Sequence, residues 1–130
     1  MSRLIGVGAV MVLMSASLAA HHGGAAFENG ASLTLKGTVT QWVYSNPHLL
    51  LTFDVVGEDG KVVQWVAETQ APNIMYPAGY RRDSFKVGDE VTVTVTPVKN
   101  GRPIGRILKV VTANGWTLGG IQDQAIPPAK

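Results

Sequence analysis

The sequence predicts an all-β fold, a small five-stranded OB-fold-like barrel with one short helix between strands 3 and 4. Segments of alternating apolar and polar residues, separated by Gly, Pro, Asn and Asp, indicate five short strands. The order strand, strand, strand, helix, strand, strand is typical of the OB-fold. A five-stranded sandwich is the alternative, but the position of the helix and a change of parity in the first strand favour the barrel.

The first predicted strand, 33–44, changes the face on which its large residues lie. Apolar residues occupy odd positions as far as Val39, and then even positions at Trp42 and Tyr44. A β-bulge near residues 40–41 would return both sets to one face. A long, bent first strand of this kind suits a closed barrel, in which it borders two neighbours.

The second and third predicted strands, 48–56 and 61–69, form a hairpin that closes on residues 58–60. Gly60 takes the loop position that favours a left-handed conformation. The resulting register places apolar residues opposite each other on both strands. The predicted pairs that face across the core are Leu51 with Ala67, Phe53 with Trp65, and Val55 with Val63.

The remaining elements are a helix candidate and two strands. The helix candidate spans 71–80, with Pro72 at its start and with Pro77 and Gly79 ending it within about two turns. The fourth strand spans 90–97 and the fifth spans 105–112. The segment after them is expected to be a flexible tail.

Residues 1–20 are typical of a secretory signal peptide. Arg3 supplies the positive charge, residues 4–14 the apolar core, and residues 15–20 small residues suited to a peptidase. The apolar run is much shorter than the roughly 20 residues of a membrane-spanning helix, so we expect cleavage and no stable membrane insertion afterwards. The expected location is periplasmic or secreted. The expected divisions are a signal peptide (1–20), an N-terminal segment (21–32), the OB-like barrel domain (33–118) and a flexible tail (119–130).

The composition excludes several classes of function. The chain has no cysteine, which rules out disulfides, thiolate metal sites and thiol catalysis. The chain has 11 Lys and Arg residues, or 10 without Arg3, against 9 Asp and Glu, so the processed protein would be close to neutral. Its basic residues are also scattered along the sequence. We therefore expect no nucleic-acid partner. No serine carries a nucleophile motif and no loop is rich enough in glycine to hold phosphate, so an enzyme is not expected. Copper redox activity is the remaining enzymatic alternative.

The three histidines, His21, His22 and His48, are the candidate metal ligands. Cleavage after Ala20 would leave the α-amino group and the His21 imidazole to chelate one ion. Cleavage after Ala19 would make His22 the third residue of the processed chain. The terminal amine, two backbone amides and the His22 imidazole could then surround the ion. Both outcomes give nitrogen ligands, which Cu(II) and Ni(II) prefer, and His48 adds another. The alternative is that His21 and His22 are simply a polar beginning of the processed chain and have no role in metal binding.

Two further candidate groups follow from the strand register. Glu68 opposes Leu50 while His48 opposes Gln70, which places His48 and Glu68 within reach of each other on the face opposite Phe53. Glu68 is expected to orient the imidazole; a polar pair at the barrel rim is the alternative. Trp42 and Tyr44 form the candidate ligand-binding surface, because OB-folds bind ligands on the barrel face. Core packing is the alternative interpretation for both aromatic residues.

An ordered set of short motifs covers most of the chain beyond the leader. They are His21-His22, LKGTV at 35–39, Asn46-Pro47-His48, Trp65 with Glu68, Ala71-Pro72-Asn73, Arg82-Asp83-Ser84 and GDEV at 88–91. This pattern resembles a domain-of-unknown-function family of small exported bacterial OB-like proteins. The resemblance implies an exported single domain without an established activity, in which these histidines and Glu68 match recurring polar residues. Gly23 replaces the usual Ser, Tyr44 the usual Trp, and Pro77 interrupts the helix.

Two functional hypotheses follow. The first is a periplasmic binding module that holds Cu(II), or a similar divalent metal, through the N-terminal histidines and His48. The second is a metal-free OB-fold module that binds a protein, a glycan or a small ligand through its barrel face. The first hypothesis requires a processed N-terminus close to His48, and the second does not.

Overall fold

A computed structural model describes residues 26–121 and 123–130, and within them the chain forms a closed five-stranded barrel with one extra strand. This confirms the predicted all-β, OB-fold-like architecture, although several strand ends differ by one or two residues from the predicted bounds. The elements are β1 (Leu33–Val43), β2 (Leu50–Val56), β3 (Val62–Glu68), α1 (Pro72–Met75), β4 (Glu90–Pro97), β5 (Ile104–Val111) and β6 (Thr117–Leu118).

The barrel closes through one parallel pairing. The strands follow the order β3-β2-β1-β4-β5-β6, and β3 also pairs with β5. The pairings along this order are antiparallel, whereas β3 and β5 run parallel and place Glu68 beside Arg106. Closure leaves the first five strands without a free edge, and it brings the end of β3 next to β5.

The predicted bulge in β1 is present. Val39 pairs with Phe53 while Gln41 pairs with Thr52, so one residue is unpaired between them. Val39 is buried in the core, and Trp42 packs against the same core from the other side of the bulge. The bulge thus turns both sets of large residues inward, as the change of parity predicts.

The predicted register of β2 and β3 is confirmed, including the pairing of Phe53 with Trp65. Gly60 has a φ of 77°, in the left-handed region expected of it. Val63, however, is 44% exposed. The hairpin extends past the end of the barrel, so the buried face of β3 ends at Trp65 instead of continuing to its tip.

The helix is one turn long, which is shorter than the predicted 71–80. Pro72 opens it, and turns follow at 76–79. Met75 is fully buried within the main core, together with Tyr80 just beyond these turns. The segment therefore closes one end of the barrel, although most of it is not helical.

The segment after β5 contains a strand that the sequence pattern does not predict. Thr117 and Leu118 pair with the end of β5, and Thr117 exchanges two backbone hydrogen bonds of 2.8 Å with Ile126. The buried Tyr80 hydroxyl donates to the Gly119 carbonyl over 2.7 Å. Within the segment expected to be a flexible tail, Gly119 and Ile126 thus have hydrogen-bond partners in the barrel.

The described chain begins beside the end of β4. Phe27 forms an isolated bridge with Val98, and Glu28 donates its N–H to the Pro97 carbonyl over 2.9 Å. Phe27 is fully buried, although it does not belong to the main core. The guanidinium carbon of Arg106 lies 4.1 Å from the centre of its ring. No helix among the described residues is long and apolar enough to cross a membrane.

Candidate functional site

A cleft of about 280 Å³ lies where β2, β3 and β5 meet the C-terminal segment, and we call it the His48 cleft. It brings together two of the predicted site residues, His48 and Glu68, with Arg106 and Asp123. Its other lining residues are Thr69, Gln70, Ile107, Leu108, Gly120 and Ile121.

His48 stands just before β2, in the register that the hairpin predicts. The Leu49 N–H donates to the Gln70 carbonyl and the Leu49 carbonyl accepts from the Thr69 N–H, although these residues lie beyond the strand ends. The half-buried His48 imidazole has its Nδ1 at 3.0 Å from the Thr69 carbonyl oxygen. A carbonyl only accepts hydrogen bonds, so Nδ1 carries the proton of the neutral ring. The lone pair of the ring is then on Nε2, which is the tautomer commonly found in histidine ligands of metals.

Glu68 is the last residue of β3 and is only 5% exposed. Its backbone is fixed on both sides, by pairing with Leu50 of β2 and with Arg106 of β5. Burying a carboxylate is costly unless polar partners surround it. The backbone of Glu68 is thus held at the edge of the cleft by both neighbouring strands.

The wall formed by the C-terminal segment is tied to the core through Tyr80. Asp123 accepts a hydrogen bond of 2.8 Å from the Gly120 N–H, which closes the turn. Burial, and to a lesser degree the charge of Asp123, raises the pKa of the Tyr80 phenol. The phenol consequently remains protonated and donates to the Gly119 carbonyl, next to the turn that lines the cleft.

The described residues do not form a complete metal site by themselves. Within residues 26–121 and 123–130, no group of three or more His, Asp and Glu side chains is arranged to hold a metal ion. His21 and His22, the other two predicted ligands, lie outside the described residues. Of the predicted set, His48 and Glu68 are thus the members whose surroundings can be described.

Trp42 and Tyr44, the predicted ligand-binding surface, contact the loop that leads into β4. The Trp42 indole donates to the Arg81 carbonyl over 3.0 Å, and its ring lies edge-on to Phe85 at 4.7 Å. The Tyr44 hydroxyl donates to the Tyr80 carbonyl over 3.3 Å. Both side chains are half-buried and help to fix this loop on β1.

Trp116 is not among the predicted site residues, yet it is 40% exposed and lines a different cleft. It follows β5 in a turn that closes at Gly115, whose φ is 87°. Alternation of apolar and polar residues does not indicate the orientation of a residue in a turn. The Asn114-Gly115 pair, a strong turn signal, is the feature that could have identified it.

The comparisons with known proteins identify a family without assigning an activity. No curated protein and no solved structure shows significant similarity to the chain. The model of a family of unknown function (DUF6152) matches residues 9–107, about three quarters of the chain. The resemblance found in the sequence is confirmed at the level of an unknown-function family, while its motif pattern and export stay predictions. The protein therefore belongs to this family of unknown function, DUF6152.

Proposed function

We propose that this protein is an exported, periplasmic binding module that holds Cu(II), or a similar divalent ion, through His21, His22 and His48. The observation that carries the proposal is the hydrogen bond from His48 Nδ1 to the Thr69 carbonyl. It selects the tautomer in which Nε2 can bind an ion, and it restricts rotation of the ring. A histidine held in this way loses little conformational freedom when it binds a metal.

The charges of the His48 cleft are compatible with a bound cation. Besides His48, the titratable side chains of the cleft are the two carboxyl groups of Glu68 and Asp123 and the single guanidinium of Arg106. Stacking on Phe27 at 4.1 Å holds this guanidinium over an aromatic face. The excess of carboxylate offsets part of the charge of a divalent ion.

The position of Phe27 supports a contribution from His21 and His22. Phe27 is directly beneath Arg106, and Arg106 is paired with Glu68 on the neighbouring strand. His22 precedes Ala26 by four residues, and four extended residues span at most about 14 Å. This distance is comparable to the width of two or three strands, which are spaced about 4.8 Å apart.

The ligand chemistry favours copper over the other common divalent ions. Imidazole and amine nitrogens in a planar arrangement suit Cu(II), which also has the highest affinity in the divalent series. For the same reason, an N-terminal histidine pair binds some copper in any protein. The decisive question is whether His48, which is distant in sequence, contributes to the affinity.

The test is a competition titration with Cu(II) on protein exported through its own leader. Replacing His48 by Ala is expected to weaken copper binding at least tenfold, since it removes a fixed nitrogen ligand (roughly 10–100-fold is typical even for outer-shell changes). Gln70→Ala is the matched control because Gln70 lines the same cleft and its backbone hydrogen bond to Leu49 remains possible. The control should bind copper within about twofold of the natural protein.

Equal copper affinity in the His48→Ala protein would contradict the proposal and leave only a generic N-terminal chelate. A second comparison locates the site independently. Acetylation of the processed N-terminal amine should weaken binding more than Glu68→Ala does, because it removes the terminal amine from the chelate. The opposite order would place the main ligands elsewhere.

A further inference from the structure

We propose that a second cleft, on another part of the barrel, binds a saccharide with Trp116 as its stacking surface. We call it the Trp116 cleft. It has a volume of about 570 Å³ and lies between the loop before β4, the 112–116 turn and the C-terminal segment. This volume falls within the roughly 300–1,000 Å³ of typical ligand sites. The inference does not depend on the proposed metal site, because the two clefts share no lining residue.

The turn that carries Trp116 is held rigidly by its own hydrogen bonds. Thr112 donates its N–H to the Trp116 carbonyl over 2.8 Å, and the Trp116 N–H donates to the Thr112 hydroxyl over 3.1 Å. Gly115 lies against Pro128, so closely that an added Cβ would be 2.9 Å from the Pro128 Cβ. An exposed indole on such a turn is a preformed surface, and binding to it costs little ordering entropy.

The Trp116 side chain differs from Trp42 in what it contacts. The Trp42 indole N–H is already bonded to a carbonyl and its ring packs against other aromatic residues. Within residues 26–121 and 123–130, the Trp116 indole N–H has no hydrogen-bond acceptor and its ring has no aromatic neighbour. The exposed ring therefore offers both an apolar face and an unused donor to a ligand.

The polar groups around the ring supply both donors and acceptors. Arg81 is fixed by hydrogen bonds from one Nη to the carbonyls of Tyr76 and Tyr80, at 2.6 and 2.8 Å. Among the described residues, its other guanidinium nitrogens have no such partners. The Asn114 amide oxygen accepts from Thr112, which directs the amide nitrogen elsewhere as a donor. Asp83 adds an exposed carboxylate to the same cleft.

This combination fits a saccharide better than the other classes of ligand. A sugar ring has an apolar C–H face that stacks on an indole, and its hydroxyls pair with planar donors and acceptors on either side. A mainly apolar ligand would leave the charges of Arg81 and Asp83 without partners. A nucleic acid calls for a clustered basic stripe, whereas in this cleft Asp83 offsets Arg81 and the basic residues of the sequence are scattered.

The test is a heteronuclear NMR titration of the full exported protein with three probes: cellotriose, maltotriose and triacetylchitotriose. At least one of them, added to about 20 mM, is expected to shift the Trp116 indole resonance and the amides of Asn114 and Asp83. Trp116→Ala should weaken that binding at least about tenfold, and Trp116→Phe, which keeps a flat ring, should weaken it less. Val56→Ala, which alters an exposed apolar residue outside the cleft, is the control and should not change it.

Two results would overturn the proposal. One is the absence of shifts in the Trp116 cleft with all three saccharides, which is also the result expected if this surface contacts a protein. The other is saccharide binding that persists unchanged in Trp116→Ala. If that variant fails to fold, Asp83→Ala replaces it, because this exposed side chain makes no hydrogen bond within the described residues and its loss should still weaken binding.

Discussion

Replacing Tyr80 by Phe removes one hydroxyl group that connects the barrel core to the C-terminal segment. The Tyr80 side chain is fully buried, and its hydroxyl donates to the Gly119 carbonyl over 2.7 Å. Gly119 is itself buried, so its carbonyl has no direct access to water. The substitution therefore removes a hydrogen bond and leaves a buried acceptor without this donor.

The expected loss of stability can be worked out from this contact. Leaving a buried polar group unsatisfied costs about 1–3 kcal/mol in the free energy of unfolding. For a domain of this size, each kcal/mol corresponds to a change of about 4–8 °C in Tm. We expect Tyr80→Phe to destabilise the protein by about 1–2 kcal/mol at pH 8, with a Tm about 5–10 °C lower.

The same hydroxyl makes the stability of the natural protein sensitive to alkaline pH. Burial, and then Asp123, raises the pKa of Tyr80 above its usual value near 10, so the folded state favours the protonated phenol. This contribution is complete below about pH 10 and is lost as the pH rises toward the folded-state pKa, at up to about 1.4 kcal/mol per pH unit. The phenyl ring of the variant does not titrate, so the two stabilities should converge by about pH 11.

Urea unfolding followed by tryptophan fluorescence measures both effects, with the slope m serving as a check that the folded state is unchanged. The natural protein and Tyr80→Phe are compared at pH 8, 10 and 11. Equal stability at pH 8, or a difference that stays constant up to pH 11, would refute the assignment of a buried, neutral phenol bonded to Gly119.

The other predictions concern the bent first strand and its contacts. Gly37→Ala should destabilise the protein by about 2 kcal/mol or more, because the added Cβ would overlap the Asp54 carbonyl oxygen, a backbone atom of the paired strand. Gly30→Ala is its control, because the added Cβ meets open space and should cost only about 1 kcal/mol through the positive φ of Gly30. Equal losses of stability in urea unfolding would contradict the close contact between Gly37 and the Asp54 backbone. Trp42→Phe should cost about 1–2 kcal/mol by removing the hydrogen bond to Arg81, with copper binding unchanged. A loss of ligand binding without a loss of stability would instead support the predicted binding role of Trp42.

The sequence was most informative where a repeated pattern acts over many residues. The alternation in β2 and β3 predicted the pairing of Phe53 with Trp65, because a shift by one residue would have exposed both apolar faces. The change of parity between Val39 and Trp42 predicted the bulge in β1 for the same reason.

Elements defined by only a few residues were not predictable in the same way. β6 has two residues, and it forms because Thr117 finds partners in both β5 and Ile126. No local pattern encodes such long-range pairing. The helix is shorter than expected. Turns at 76–79 take the place of its second half, and they still allow Met75 and Tyr80 to pack in the core.

In the candidate site, too, strand register was predictable from the sequence and long-range contacts were not. The hairpin register was sufficient to bring His48 and Glu68 to one region, since strand pairing fixes their backbone positions. The parallel pairing with β5 adds Arg106, and this depends on barrel closure, which no local spacing reveals. The exposure of Trp116 likewise depends on how a turn sits on the assembled barrel.

Native mass spectrometry of the protein exported through its own leader, with and without one equivalent of Cu(II), tests the central proposal most directly. The mass of the processed chain identifies the cleavage site, and the mass shift counts the bound ions. The expected chain begins at Ala20 or His21 and retains one copper ion in the presence of a competing chelator. A chain that begins elsewhere, or one that loses its copper to a weak chelator, would contradict the proposal.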